Sequence, residues 1–292
     1  MKSGFIAIIG RPNAGKSTLL NRIAGEKIAA ISSKPQTTRT KITGIVTNEN
    51  CQMVFVDTPG IHFPRNKLGQ FMVKEAKDAV KSVDVIVFTV DSMAKEGEND
   101  KIIEGLKNEK IPVILVINKI DLVEKEKLFP LIDGYSKKMD FDAIVPICAA
   151  NGDGVGILKT EIEKRLDEGP LYFPEDMLTD QPERQIAAEI IREKALWCLS
   201  KEVPHGIAVE IETFKENESA VHIDAVIYCE KSSHKGIIIG KGGLMLKKIG
   251  QQARENLERH LDKKVCLKLW VKVKEDWRNS DILMKNFGYV SE

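Results

Sequence analysis

Five short runs of consecutive apolar residues punctuate the first half of the chain, at 5–9, 53–56, 85–90, 113–117 and 144–147. Most are continuous rather than alternating, as strands buried on both faces must be. Helical patterns lie between them. Strand and helix in alternation predict an α/β fold with a doubly wound, mostly parallel sheet. Such sheets bind ligands beyond the carboxyl ends of their strands.

The pattern changes after a helical stretch at 158–166. That stretch runs into Asp167-Glu168-Gly169-Pro170, a helix stop followed by a breaker. Residues 170–182 carry three prolines and mixed polarity, and predict an extended connector docked through Tyr172 and Phe173. From Glu183 onward Ala187, Ile191, Ala195 and Cys198 share one helical face. Residues 206–214 and 220–229 alternate as strands, with Asn217-Glu218 in the turn. Ile237-Ile238-Ile239 and then Leu246, Ile249, Ala253 and Leu257 predict two helices, and 265–273 a last strand. The order αββααβ describes a smaller α+β domain. The expected division is 1–169, a linker at 170–182, and 183–292 ending in an amphipathic tail from 275.

Composition adds little: 42% hydrophobic and 30% charged residues describe an ordinary globular protein. No apolar stretch has the length that spans a bilayer, and Met1-Lys2-Ser3-Gly4 leads straight into a strand, so no signal peptide is expected. The five cysteines (51, 148, 198, 229 and 266) are far apart and each lies in or beside an apolar segment. They are expected to be reduced core thiols of a cytoplasmic protein. Charge is informative through its placement. Residues 231–272 hold eleven Lys or Arg against three Asp or Glu, although the whole chain is only +1. A C-terminal surface that attracts a polyanion is expected.

The chemistry begins after the first strand, at Gly10-Arg11-Pro12-Asn13-Ala14-Gly15-Lys16-Ser17. Glycines let successive amides converge on one anion, and the following helix adds its N-terminal charge. Lys16 is expected at the β- and γ-phosphates and Ser17 on Mg²⁺. After the next buried strand comes Asp57-Thr58-Pro59-Gly60. Asp57 is expected at the metal, and the Gly60 amide at a γ-phosphate that it releases after hydrolysis. After the strand at 113–117 comes Asn118-Lys119-Ile120-Asp121. The Asp121 carboxylate matches the paired donors of guanine, which adenine lacks. Asn118 is expected to tie this loop to the phosphate loop, and the Lys119 stem to cover the base. A backbone amide of Ala149 or Ala150, after Cys148, is expected at the guanine oxygen. The polar stretch 32–40 is expected to be a switch loop whose threonine closes on Mg²⁺, Thr38 or else Thr37.

These boxes, with Thr37-Thr38-Arg39, resemble those of translation-factor-type GTPases. Gly-Arg-Pro-Asn-Ala-Gly-Lys-Ser together with Gln36-Thr37-Thr38-Arg39 resembles the Era family in particular, as does the linker. The Ras-like glutamine that orients water is replaced by Ile61, which predicts slow intrinsic hydrolysis. His62 is expected to be an exposed switch residue rather than a base. Asn13, by the same resemblance, implies a K⁺ ion against the phosphates. The αββααβ order with Gly240-Lys241-Gly242-Gly243 between two helices resembles a type II KH domain. Ile237–239 would support a groove for single-stranded bases, and Lys235, Lys241, Lys247 and Lys248 would meet phosphates. Trp270 and Trp277 are expected to be packing residues. The resemblance implies GTP/GDP and Mg²⁺ as ligands. It implies the 3′ end of small-subunit ribosomal RNA and the small ribosomal subunit as partners, in a monomer that meets the inner membrane face peripherally. The alternative is an RNA-binding GTPase regulator with no ribosomal role. A nucleotide-dependent kinase would leave Asn118–Asp121 unexplained, and a degenerate RNA binder would not keep Lys16, Ser17 and Asp57.

Overall fold

A computed structural model describes residues 1–61, 64 and 66–289. His62 lies outside the described residues. The chain forms two compact units. The first holds most of residues 1–180. The second holds the residues described from Gln181 on, together with Ala30–Thr37 and Pro64–Phe71.

The first unit runs β1 (Lys2–Gly10), α1 (Lys16–Ala24), β2 (Ile42–Thr47), β3 (Cys51–Asp57), α2 (Lys67–Val80) and β4 (Val85–Asp91). It continues with α3 (Asp100–Leu106), β5 (Val113–Asn118), α4 (Lys125–Ser136), β6 (Ala143–Pro146) and α5 (Val155–Arg165). The first turn of α2 groups with the second unit. The strand order is β2-β3-β1-β4-β5-β6. All neighbours are parallel except β2 and β3, where Ile42 faces Asp57. Alternation along β1 feeds both faces. Ile6 and Ile8 join Leu19 and Leu20 of α1 and Leu158 of α5. Ala7 and Ile9 join Phe88 and the α3 residues Ile103 and Leu106.

β2 is absent from the sequence reading. Its Ile-Thr-Gly-Ile-Val-Thr has no continuous apolar run, because an edge strand buries only some positions: Ile42, Gly44 and Ile45. The connector protects that edge. Ile45 N–H donates to the Leu178 carbonyl at 2.8 Å, and Thr179 Oγ1 to the Thr43 carbonyl at 2.7 Å. Gln52, fully buried in β3, satisfies the connector from beneath. Its Oε1 accepts the amides of Tyr172 (2.8 Å) and Phe173 (3.1 Å). The Tyr172 ring meets Phe5 at 4.8 Å.

The second unit runs α6 (Glu183–Cys198), β7 (Ala208–Glu216), β8 (Ala220–Cys229), α7 (Ser232–Ile239), α8 (Leu244–Leu261), β9 (Lys264–Val273) and α9 (Asp281–Asn286). Its sheet is β7-β8-β9, antiparallel then parallel. One face buries Val221, Ile223, Ala225 and Ile227 against α6 and α8. Trp277 is buried, donates Nε1–H to the Gly206 carbonyl at 2.9 Å, and packs on Phe287 and Tyr289. Two expectations are corrected on β9. Trp270 is 44% exposed, and Cys266 is exposed. Both occupy alternate positions of the strand face that turns away from the helices, so an apolar-looking run has only one buried side.

Candidate functional site

The phosphate loop leaves β1 at Gly10 and enters α1 through Gly15, which has φ +94°. A side chain at Gly15 would be strained and would collide with the Asn118 carboxamide. Lys16 is buried, and its Nζ donates to the carbonyls of Gly10 (3.2 Å) and Arg11 (3.0 Å). Burial holds its pKa below the ordinary lysine value, and Asp57 partly counters this. Arg11 reaches the Glu98 carbonyl, 2.9 Å away. Pro12 backs onto Gly60, where an added Cβ would come within 2.6 Å of the Pro12 nitrogen. Asn13 is exposed with φ +63°, and Ala14 is buried.

Three elements then deliver oxygens to one point. Ser17 Oγ from α1 donates to Asp57 Oδ2 at 2.6 Å. Thr38 Oγ1 lies 2.8 Å from Ser17 Oγ and 3.4 Å from the same carboxylate oxygen. The Thr37 hydroxyl turns back to the Lys34 carbonyl at 2.7 Å. Asp57 is fully buried, and its Oδ1 has no partner. Burial pushes its pKa up to about 6 against the opposing pull of Lys16 and the two hydroxyls. An orphaned buried carboxylate oxygen beside two hydroxyls fits a hard divalent cation such as Mg²⁺. Among the described residues no three His, Cys, Asp or Glu side chains cluster to hold a metal. Thr58 closes the loop behind, its hydroxyl donating to the Ile8 carbonyl at 2.9 Å. Ile61 N–H donates to the Gly10 carbonyl at 3.0 Å, and its side chain packs against the apolar cluster under β1.

The third loop is organised by Asn118, whose Nδ2 donates to Ala14 O (2.9 Å) and whose Oδ1 accepts from Lys119 N (2.8 Å) and Ala149 N (3.0 Å). Lys119 has φ +65°, and its ammonium pairs with Asp91 at 2.6 Å. Ile120 N–H donates to the Ile147 carbonyl at 3.2 Å, and Asp121 is exposed. Cys148 is buried, and its amide donates to the Asp153 carbonyl at 2.9 Å. The Ala149 amide is therefore committed to Asn118, while Ala150 is exposed. Sequence reasoning missed Arg22 of α1, which donates to the carbonyls of both Ala149 and Ala150. It also missed Asp91 at the end of β4. Neither stands out in sequence: one is a basic residue in a helix's last turn, the other an acid at a strand end.

In the second unit Gly240 (φ +73°), Gly242 (φ +59°) and Gly243 (φ +80°) carry the chain from α7 to α8. A Cβ on Gly240 would lie 2.7 Å from that of Met245. Beside this turn runs an open groove of about 440 Å³, lined by Gly243, Leu246, Lys247 and Arg254 on the α8 side and by Leu267 and Leu269 of β9. Lys235, Lys241, Lys247 and Lys248 are all exposed. The apolar support differs from expectation. Ile238 is in the core, Ile239 packs against that core, and Ile237 is 51% exposed. The groove's aliphatic lining is instead Leu246, Leu267 and Leu269, readable in principle as one helix stripe (243, 246, 247, 250, 254) facing alternate residues of a strand.

Doubly wound sheet, phosphate loop and Asn-Lys-x-Asp loop together put the first unit in the class of P-loop GTPases. Residues 5–119 match the family described as 50S ribosome-binding GTPase, and residues 202–278 match the KH domain. The chain belongs to the GTPase Era family. It is 58% identical to GTPase Era of Ruminiclostridium cellulolyticum over 99% of this chain and 97% of that protein. It is 55% identical to GTPase Era of Clostridioides difficile over 99% and 98% of the two chains. Its structure matches that of Era in complex with MgGDPNP and nucleotides 1506–1542 of 16S ribosomal RNA. That match has a TM-score of 0.96 at 43% identity and covers 100% of both chains.

Proposed function

We propose that this chain is a GTP-driven switch that binds the 3′ end of small-subunit ribosomal RNA during assembly of the small subunit. One observation carries the reading: a largely buried Ser17–Thr38–Asp57 oxygen cluster, with Ser17 half-buried, and a glycine-hinged, lysine-flanked groove occur in the same chain. The solved relative with both MgGDPNP and 16S nucleotides supports it.

In this reading the residues of the phosphate loop, 10–17, cradle the phosphates, with Lys16 opposing the charge that gathers on the β- and γ-groups. Ser17, Thr38 and Asp57 hold Mg²⁺, which when bound withdraws charge from the phosphate oxygens. Gly60 meets the γ-phosphate. In hydrolysis a water oxygen bonds to the γ-phosphorus as the bond to the β–γ bridging oxygen breaks, and GDP leaves with the electron pair. Ile61 offers that water no hydrogen bond, so the intrinsic rate is slow. Asp121 takes the guanine donors, and Ala150, rather than the committed Ala149 amide, faces the guanine oxygen. Gly240–Gly243 let an RNA backbone approach, and Lys235, Lys241, Lys247 and Lys248 supply the salt-sensitive part of the affinity. The working division of the chain is 1–169, 170–182 and 183–292.

A cytoplasmic setting and a peripheral contact with the inner membrane face are parts of the proposal that rest on family likeness. Among the described residues no helix is long and apolar enough to cross a membrane. The test is RNA binding by the empty, GDP-loaded and GTP-analogue-loaded chain, using a labelled oligonucleotide of the 16S 3′ end. Tightest binding with the analogue is expected. Equal binding in all three states refutes the switch.

A further inference from the structure

Within the first unit, the loops at 118–121 and 148–151 are stitched together twice. Asn118 Oδ1 accepts the Ala149 amide at 3.0 Å, and Ile120 N–H donates to the Ile147 carbonyl at 3.2 Å. The second loop is also closed on itself. Cys148 N–H donates to the Asp153 carbonyl at 2.9 Å, and Gly152 N–H to the Cys148 carbonyl at 2.8 Å. None of these bonds holds the carbonyls of Ala149 and Ala150, which lie between the fixed ends.

One side chain takes both. Arg22, in the last turn of α1, donates its Nε–H to the Ala149 carbonyl at 3.2 Å and an Nη2–H to the Ala150 carbonyl. Its stem lies along the turn, where a Cβ on Gly152 would sit 3.7 Å from Arg22 Cδ. A guanidinium fork suits two neighbouring acceptors, whereas an ammonium is a point donor. The consequence lies on the other side of the peptide. The Ala149 carbonyl and the Ala150 N–H belong to one planar trans unit and point opposite ways. Drawing the carbonyl to Arg22 therefore turns the Ala150 N–H away from α1. That N–H donates to no group among the described residues, and Ala150 is exposed. Asp121 is the exposed acceptor of the stitched pair of loops, and the Ala150 N–H is a donor on its partner. Guanine presents the complement on one edge, with N1–H and the 2-amine beside the 6-oxygen.

We propose that Arg22 is a positioning residue for guanine recognition, orienting the Ala149–Ala150 peptide so that the Ala150 N–H meets the 6-oxygen of the base. The proposal rests on the guanine-nucleotide reading of these loops and names the side chain that sets their donor. Arg22 acts through the peptide and not on the nucleotide itself. Its effect on selectivity is therefore confined to the base oxygen.

The experiment compares the full-length wild type with Arg22→Met and Arg22→Lys. Affinities for GDP, inosine diphosphate and 6-thioguanosine diphosphate are measured by calorimetric titration in Mg²⁺. Inosine diphosphate keeps the oxygen and lacks the 2-amine. The thio analogue keeps both donors and replaces the oxygen with sulfur, a weak acceptor. All three carry the same phosphates, so any effect of the lost charge cancels in the ratios. Wild type is expected to favour GDP over the thio analogue. In Arg22→Met, affinities for GDP and inosine diphosphate fall together by about three- to tenfold, the weight of one hydrogen bond. Affinity for the thio analogue stays within about twofold, so the preference for GDP over it shrinks. Arg22→Lys recovers part of the loss, since it keeps a charged donor without the fork. Equal losses for all three nucleotides would mark Arg22 as merely structural and overturn the proposal. So would a wild type that does not distinguish GDP from the thio analogue. If Arg22→Met does not fold, Arg22→Lys decides, and a wild-type preference there overturns the proposal. A wild type that binds ADP as tightly as GDP is a separate failure: it defeats the guanine reading itself, and this inference with it.

Discussion

The Asn118 carboxamide donates to the Ala14 carbonyl at 2.9 Å, joining the 118–121 loop to the 10–17 loop. The same side chain accepts the Ala149 amide at 3.0 Å. One buried residue therefore fixes the spacing of three loops, those at Ala14, Lys119 and Ala149.

Asn118→Ala removes that brace and leaves buried backbone groups of Ala14 and Ala149 unpaired, at about 1–3 kcal/mol each. GTP and GDP affinities are expected to fall together, by roughly tenfold or more. Thermal stability falls with them. Calorimetric titration with both nucleotides checks this, and wild-type affinity for either one contradicts it.

Asp121→Asn exchanges an acceptor for a donor where guanine presents its amine and xanthine a carbonyl. The variant is expected to lose GTP binding and gain xanthosine triphosphate binding. Discrimination should change by orders of magnitude, because a mismatched site strands its own polar groups. Competition between the two nucleotides measures it; retained GTP preference would remove Asp121 from the base contact.

Asp57 carries a pH signature. In the nucleotide-free, metal-free chain its carboxyl has a pKa of about 6, against 3.8 for the unperturbed group. Between those values the folded state holds more protons than the unfolded one, so stability contributed here falls as pH rises. The loss is complete only about one pH unit above the folded value, near pH 7. Denaturant melts at pH 4 to 7 should show the wild type losing stability relative to Asp57→Asn across that window. A parallel pair of curves contradicts the shift.

Gly240→Asp places a side chain at φ +73° and a Cβ 2.7 Å from that of Met245. It also adds a negative charge beside Lys241. RNA affinity at fixed salt is expected to drop about tenfold or more while GTP affinity is unchanged. Fluorescence anisotropy with the 16S 3′-end oligonucleotide is the measurement. Undiminished RNA binding in the folded variant would dissociate the turn from the groove.

Asn13, exposed in the phosphate loop, leads to a simpler comparison. If it helps hold K⁺ against the phosphates, turnover is faster in K⁺ than in Na⁺ at equal ionic strength. Asn13→Ala abolishes the difference. Identical rates in the two salts end that idea.

Much of the first unit was legible because its strands are buried on both faces and its chemistry follows strand ends. Gly10, Asp57 and Asn118 each terminate a strand of the sheet. What escaped was whatever depends on a single face or on distant partners. β2 looks polar because it is an edge. Trp270 looks like core because alternation hides which side faces the helices. Gln52 looks like a surface residue until the connector amides it serves are seen. Arg22 and Asp91 act through backbone carbonyls or a single ion pair, and such contacts leave no periodic trace. Of Thr37 and Thr38, only three-dimensional placement separates the two hydroxyls.

The exposed Cys266 offers a practical opening. Cys51, Cys148 and Cys229 are buried and Cys198 is half-buried, and burial pushes the thiols of Cys51, Cys198 and Cys229 up, away from the reactive thiolate. A maleimide dye added to the native chain will thus label Cys266 first, two residues from Lys268 on the outward side of β9. Wild-type protein, without an engineered handle, can then carry its own optical reporter of RNA arrival.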